Sequence, residues 1–304
     1  MSGIPIAYWI KAARLRTLPL AFSCILLGSF LAAAAGSFDP WILVLSLLTT
    51  LFFQVLSNYA NDLGDGVKGT DEHRKGEQRM VGSGLIPMEK MKRAVYLFVL
   101  LSFVSACLLS HRALAEKGWI WVALFIALGA LAILSAVFYT VGDAAYGYRG
   151  LGDLFVLLFF GWVGVVGSYF LQTAVLDWSV FLPASSVGLL SVGVLNLNNM
   201  RDIETDRAAG KKSIPVRIGL PYAKIYHMGL LLFAFNLSFL YVLGHGGNAW
   251  RNLYWLSVPL ILWNLWSVSK SWQAEEFDPL LKRLALTTLL FSLSLGCGIL
   301  LSVQ

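Results

Sequence analysis

Apolar residues run in long blocks along this chain, and polar residues gather between them. Residues 41–56, WILVLSLLTTLFFQVL, carry no charge, and the next fifteen, SNYANDLGDGVKGTD, hold three aspartates, two asparagines and a lysine. A helix that crosses a bilayer needs roughly 20 mostly apolar residues. Nine runs approach or reach that length: Thr17–Ser37, Pro40–Ala60, Ala94–Ser110, Gly118–Tyr139, Leu154–Leu176, Trp178–Leu197, Ile225–Leu243, Asn252–Val268 and Leu284–Val303. The third and eighth are the shortest. Lipid offers the backbone no hydrogen bonds, so each spanning element must satisfy its own. The expected fold is an all-α integral membrane protein of nine transmembrane helices, forming a single domain over residues 1–304.

Composition agrees: charged residues are 13% of the chain, against about 25% in soluble domains. Charge placement adds an orientation. If nine helices alternate sides, 20 of the 23 Lys and Arg residues fall on one side, leaving Arg112, Lys117 and Arg251 on the other. The positive-inside rule assigns the rich side to the cytoplasm. The predicted location is a bacterial-type inner membrane, with the N-terminus cytoplasmic. The net charge of +6 is then a topology signal, and no nucleic-acid partner is expected. Basic residues before the first run and LAAAAG (31–36) within it also fit a cleavable leader; its removal would leave the sidedness unchanged. Cys24, Cys107 and Cys297 all fall inside runs, which argues against a disulfide framework.

Two predicted cytoplasmic segments hold most of the acids, after the second and sixth runs. The first reads Asn58-x-x-x-Asp62 with Asp65 and Asp71 following; the second reads Asn198-x-x-x-Asp202-x-x-x-Asp206. The two asparagines are 140 residues apart, as are Asp62 and Asp202, and each motif is followed by glycine and lysine, in GVKG (66–69) and GKKS (210–213). This spacing predicts an internal repeat, with halves at about 10–140 and 150–270 and a ninth helix added. Residues four apart share a helix face. Like carboxylates on one face repel, so the stripes call for a cation.

The available ligand atoms are oxygens, apart from the nearby His73, which reads as a loop residue. Oxygen-only sites suit Mg²⁺, Mn²⁺ or Ca²⁺. Mg²⁺ commonly takes one or two carboxylates and completes its shell with water and phosphate oxygens, so two facing stripes would hold two or more Mg²⁺ around one diphosphate. The candidate metal ligands are Asn58, Asp62, Asp65, Asn198, Asp202 and Asp206, and the four aspartates are the candidate catalytic residues. Lys68, Arg79, Lys211, Lys212 and Arg217 are placed to neutralise phosphate. Arg14 and Arg16 at the first helix, and Tyr139, Asp143, Tyr148, Arg149 and Asp153 between the fourth and fifth, stand on the same side. A central cavity opening to the cytoplasm follows, its aromatic walls suited to an isoprenoid chain and a carbocation.

Four stretches, ARLRTLPLAF (13–22), QVLSNYANDLGDGVKGTD (54–71), YRGLGDLFVLLFFGWVGVVGSYFLQT (148–173) and NNMRDIETDRAAGKKSIPVRIG (198–219), resemble the UbiA superfamily of intramembrane prenyltransferases. The ND-x-x-D-x-x-x-G-x-D form at 61–71 is similar to the branch acting on 1,4-dihydroxy-2-naphthoate rather than hydroxybenzoate. In the family's first motif, Asn-x-x-x-Asp-x-x-x-Asp, Asn58 and Asp62 fit, but Gly66 stands in the place of the last acid, with Asp65 one position early. The resemblance implies transfer of a polyprenyl group from polyprenyl diphosphate to 1,4-dihydroxy-2-naphthoate, with loss of diphosphate and CO₂, giving demethylmenaquinone. It implies Mg²⁺ at the two motifs, and Arg14, Arg16, Tyr139, Tyr148 or Arg149 beside the substrates. A homogentisate or 4-hydroxybenzoate enzyme of the same type is the alternative. A transporter fits less well, since the acids lie at helix ends and not at the bilayer midplane.

Overall fold

The structure is a computed structural model that describes residues 4–68, 79–142, 146–246 and 249–303, without the side chain of Lys68. Asp71, His73 and Asp143 lie outside the described residues.

The described chain is helical throughout. A short helix α1 (Ile6–Ala13) ends at Arg14 in the left-handed conformation, φ 48° and ψ 50°. A turn of 3₁₀ helix, Leu15–Thr17, leads into α2 (Leu18–Ala34). Then come α3 (Pro40–Lys68), α4 (Met88–Leu114) and α5 (Trp119–Phe138). The next crossing is composite: α6 (Gly152–Val156), a π-helical segment Leu157–Val166, and α7 (Gly167–Thr173). α8 (Phe181–Arg201) and α9 (Ile203–Ala208) are separated by a break at Asp202. α10 (Ile214–Gly244) is interrupted at Gly219, where φ is +81° and ψ 161°, and it resumes with Pro221 in its first turn. That is the place where proline's missing N–H does least harm. α11 (Val258–Lys270) and α12 (Ala274–Ser302) complete the chain, the latter opened by a capping box between Gln273 and Glu276.

Among the described residues, eight helices are long and apolar enough to cross a membrane. The stretch expected to cross at Asn252–Val268 is a 3₁₀ run, Ala249–Ser257, passing into the 13-residue α11. The last predicted crossing, Leu284–Val303, begins earlier than its apolar run, at Ala274.

The helices divide into central and peripheral ones. The most apolar stretch of Trp178–Arg201 is 72% buried and that of Trp119–Phe138 only 11%, so α8 is the hub and α5 lies at the periphery. α2, α8, α10 and α12 bury the largest cluster, with Leu27, Leu190, Leu231, Leu284 and Phe291 inside it. Without a hydrophobic driving force between helices, close backbone approach decides packing in lipid. Gly28 supplies it here: a Cβ on it would lie 2.4 Å from the Val165 carbonyl oxygen of the π-helical segment. At the end away from the acidic motifs, Asp39 pairs with Arg112. Its N–H donates to Gln172 Oε1 at 2.7 Å, and Gln172 Nε2 donates back to the Asp39 carbonyl at 3.1 Å. This clasp joins the α2–α3 link to the ends of α4 and α7.

Candidate active site

α3 continues as a helix beyond its apolar run, carrying the first motif on its last three turns. Helix geometry, at 100° per residue, puts Gln54, Asn58, Asn61 and Asp65 within about 60° of one another. All four line one cavity. Asp62 sits at the edge of that stripe and turns the other way. It is 1% exposed, and its two oxygens accept the N–H groups of Met80 and Val81 at 3.0 and 2.9 Å. Asn58 Nδ2 donates to the Ala13 carbonyl at 2.8 Å, which leaves its oxygen as the ligand atom. The structure therefore brings Asn58 and Asp65 to the cavity and uses Asp62 to hold the returning chain at 80–81.

The second motif divides in the same way. Asn198 and Asp206 line the cavity, and Asp202, at the break between α8 and α9, does not. Asp202 is 5% exposed and gripped by its neighbour Arg201, whose Nε and Nη2 donate to Oδ1 and Oδ2 at 2.8 and 2.9 Å. Arg201 Nη2 also reaches Asn198 Oδ1 at 2.8 Å, and Nη1 reaches Asp278 Oδ1 at 2.6 Å. Asp278, from the first turns of α12, also accepts from Arg16 at 3.1 Å.

Cations meet the cavity acids directly. Arg79 donates to Asp65 Oδ2 at 2.5 Å, and Tyr148 OH donates to Asp65 Oδ1 at 3.2 Å. Lys211 Nζ lies 3.2 Å from Asp206. Burial pulls the Lys211 pKa down, but the charge of Asp206 foremost, with those of Asp65 and Asp202, outweighs it, so the net shift is upward. Burial raises the pKa of the Tyr139 phenol, keeping it neutral. Arg14, Tyr139 and Tyr148 also line the cavity. Arg16 is turned to Asp278. Arg149 and Lys212 point outward, and their backbones do the work. Lys212 N–H donates to the Tyr148 carbonyl at 2.9 Å, and Arg217 Nη2 donates to the Arg149 carbonyl at 2.7 Å. Gly150 permits this docking: its φ is +81°, and a Cβ would lie 2.2 Å from the Lys212 carbonyl oxygen. The Lys68 side chain lies outside the description. Asp153 is taken by Tyr226 OH at 2.8 Å.

The cavity is about 750 Å³ and has two characters. One end holds the acids, amides and cations. The rest is apolar, walled by aromatic rings including Phe53, Trp121, Phe125, Phe159, Trp162 and Phe181. Tyr146 stacks on Phe155 with ring centres 4.1 Å apart, and Tyr139 meets Tyr146 edge-on at 5.3 Å, so a ladder of rings leads from the polar end inward.

Among the described residues, no three His, Cys, Asp or Glu side chains come together as a metal cluster. Asp65 and Asp206, with the amide oxygens of Asn58, Asn61 and Asn198, make an oxygen-only set with two carboxylates. That fits Mg²⁺ sharing its shell with phosphate oxygens. The sequence reading missed Gln54, Asn61, Arg201 and Asp278. The first two were signalled by the 4-3-4 spacing of 54, 58, 61 and 65, which tracks a helix face more closely than 4-4 does.

The UbiA prenyltransferase family model matches residues 21–301. The 1,4-dihydroxy-2-naphthoate octaprenyltransferase of Escherichia coli (strain K12) is 41% identical over 97% of this chain and 95% of its own length. The solved structure of a UbiA homologue from Aeropyrum pernix K1 superposes with a TM-score of 0.68 over 100% of both chains, at 18% identity. That of a UbiA homologue from Archaeoglobus fulgidus, bound to GPP and Mg²⁺, superposes with a TM-score of 0.63 over 96% of this chain and 99% of its own, also at 18% identity.

Proposed function

This chain belongs to the UbiA prenyltransferase family, and from that premise we propose that it prenylates 1,4-dihydroxy-2-naphthoate from a polyprenyl diphosphate in menaquinone biosynthesis. The observation that carries the reading is the divided cavity. A polyprenyl diphosphate has one dianionic or trianionic head and a long apolar tail, and the cavity has one cationic and oxygen-rich end on an aromatic body.

Arg14, Arg79 and Lys211 stand at the end where the diphosphate head binds. Asp65 and Asp206, with Asn58, Asn61 and Asn198, would hold Mg²⁺ there, two or more ions by the charge of the head. When bound, Mg²⁺ supplies Lewis-acid charge that stabilises the departing diphosphate. Asp62 and Asp202 enter this reading through the partners they hold: the Met80–Val81 backbone and Arg201 fix the rims of the two motifs.

The allylic C–O bond breaks and its electron pair leaves with the diphosphate. The remaining cation faces the π faces of the ring ladder, which favour positive charge, in a cavity that keeps water away. The naphthoate ring attacks through the carbon bearing its carboxylate, forming the C–C bond. Loss of that carboxylate as CO₂ returns the electron pair to the ring, and the product leaves as the quinol form of demethylmenaquinone. Arg14, at the cavity wall, is the guanidinium placed to orient the acid. The chain is a multi-pass membrane protein, and the charge asymmetry supports a cytoplasmic polar end.

The test is an assay of membranes carrying the chain, with prenyl diphosphate, Mg²⁺ and each aromatic acid in turn. Product with dihydroxynaphthoate is expected. Product with 4-hydroxybenzoate or homogentisate alone overturns the acceptor, and full turnover in a chelator overturns the metal.

A further inference from the structure

The acceptor and the two motifs leave one feature unused: a charge quartet behind the second motif. Asp278 is brought by α12, the most distant helix in sequence. Its Oδ1 accepts Arg201 Nη1 at 2.6 Å, and its Oδ2 accepts Arg16 Nη1 at 3.1 Å. Arg201 is 3% exposed at its side chain. Its other nitrogens go to both oxygens of Asp202 and to Oδ1 of Asn198. Two guanidiniums and two carboxylates thus meet one side chain away from a cavity-lining oxygen.

Removing the Asp278 charge unbalances this set in a definite direction. Arg16 and Arg201 then lose the carboxylate they share. One net positive charge appears beside the amide oxygen of Asn198, and Arg201, released at Nη1, is free to lean further onto that oxygen. Both changes oppose a cation at the site and neither opposes an anion. A residue needed only for packing would, on removal, weaken both.

We propose that Asp278 is a positioning residue for the divalent cation: it balances Arg16 and Arg201 so that the second motif presents an electronegative face to the cavity. This rests on the metal reading above. Outer partners of metal ligands typically change affinity by roughly 10–100-fold, and Asp278 acts through Arg201, so the lower end of about tenfold is expected.

The experiment uses the purified full chain in detergent micelles. Mn²⁺ binding is followed by electron paramagnetic resonance in the presence of geranyl diphosphate, and geranyl diphosphate binding is measured separately in chelator. Asp278→Asn is expected to weaken Mn²⁺ about tenfold and leave metal-free diphosphate binding equal or tighter. Asp278→Glu, which restores the charge, is expected to return Mn²⁺ affinity towards that of the parent. Equal weakening of both ligands by Asp278→Asn, or unchanged Mn²⁺ affinity, overturns the proposal. If Asp278→Asn does not fold, Asp278→Glu with unchanged diphosphate binding and no Mn²⁺ binding overturns it as well. Absence of Mn²⁺ binding by the parent chain overturns the metal reading itself, which separates the two failures.

Discussion

Asp62 and Asp65 are three residues apart in one motif, yet their surroundings predict different consequences on mutation. Asp62 is buried and accepts two backbone N–H groups, those of Met80 and Val81. Asp62→Ala leaves both donors without an acceptor. Each such loss costs about 1–3 kcal/mol, so the variant loses about 2–6 kcal/mol, against a native stability of about 5–15 kcal/mol. Asp65 lines the cavity and holds Arg79, the residue before that turn, so its loss leaves the Met80 and Val81 N–H groups their acceptor but takes a carboxylate from a buried guanidinium. Thermal unfolding in detergent, followed with a thiol-reactive dye on buried Cys24, tests this. Asp62→Ala should unfold at clearly lower temperature, with Asp62→Asn between it and the parent, because an amide can accept only at its oxygen. Asp65→Asn, which keeps an acceptor for Arg79 and Tyr148, should unfold above Asp62→Ala and have lost turnover. An Asp62→Ala protein with the parent's unfolding temperature and turnover recoverable by high Mg²⁺ would refute the reasoning, since it would make Asp62 a metal ligand and not a brace.

Two further outcomes follow from the loops around the cavity. Gly150→Ala forces a side chain into a left-handed backbone and against the Lys212 carbonyl. It should therefore raise KM for prenyl diphosphate by disturbing Tyr148 and Lys211 together, and an unchanged KM would show that the docking of these loops does not position them. Lys211 has its pKa raised, chiefly by Asp206 acting against burial. A cation so held stays charged on the acid side of its own pKa, above the ordinary 10.5. Lys211→Met should raise KM for the diphosphate about tenfold, Lys211→Arg much less, and the parent's KM should not climb through pH 8–10 with the loss of this charge; such a climb, absent in Lys211→Arg, would refute the shift.

Hydropathy and charge made the membrane class, most crossings and the pairing of two acidic motifs legible in the sequence. Individual orientation was less so. The spacing Asn58-x-x-x-Asp62 looks like one face, but helix phase alone cannot say which edge of that face meets a neighbour. The neighbour here is the turn at Met80–Val81, eighteen residues on. Asp202 was hidden for a similar reason: Arg201, counted as a topology charge, is its partner. Asp278 lay in QAEEFDP, ahead of an apolar run whose start, by hydropathy, is Leu284. The helix in fact begins at Ala274 because Gln273 and Glu276 cap it. The crossing expected at Asn252–Val268 was hard to place because its first part is 3₁₀ helix.

Arg14 ends α1 in a left-handed conformation that a residue with a Cβ adopts at a cost of about 1 kcal/mol or more. Glycine would rest there without strain. A guanidinium at the cavity wall is what the position holds instead, so this is a point where tolerance to heat and possession of the activity pull in opposite directions. Any campaign that selects the chain for thermal endurance alone is drawn towards Arg14→Gly. Its winners would be sturdier proteins that had given up a hold on the substrate.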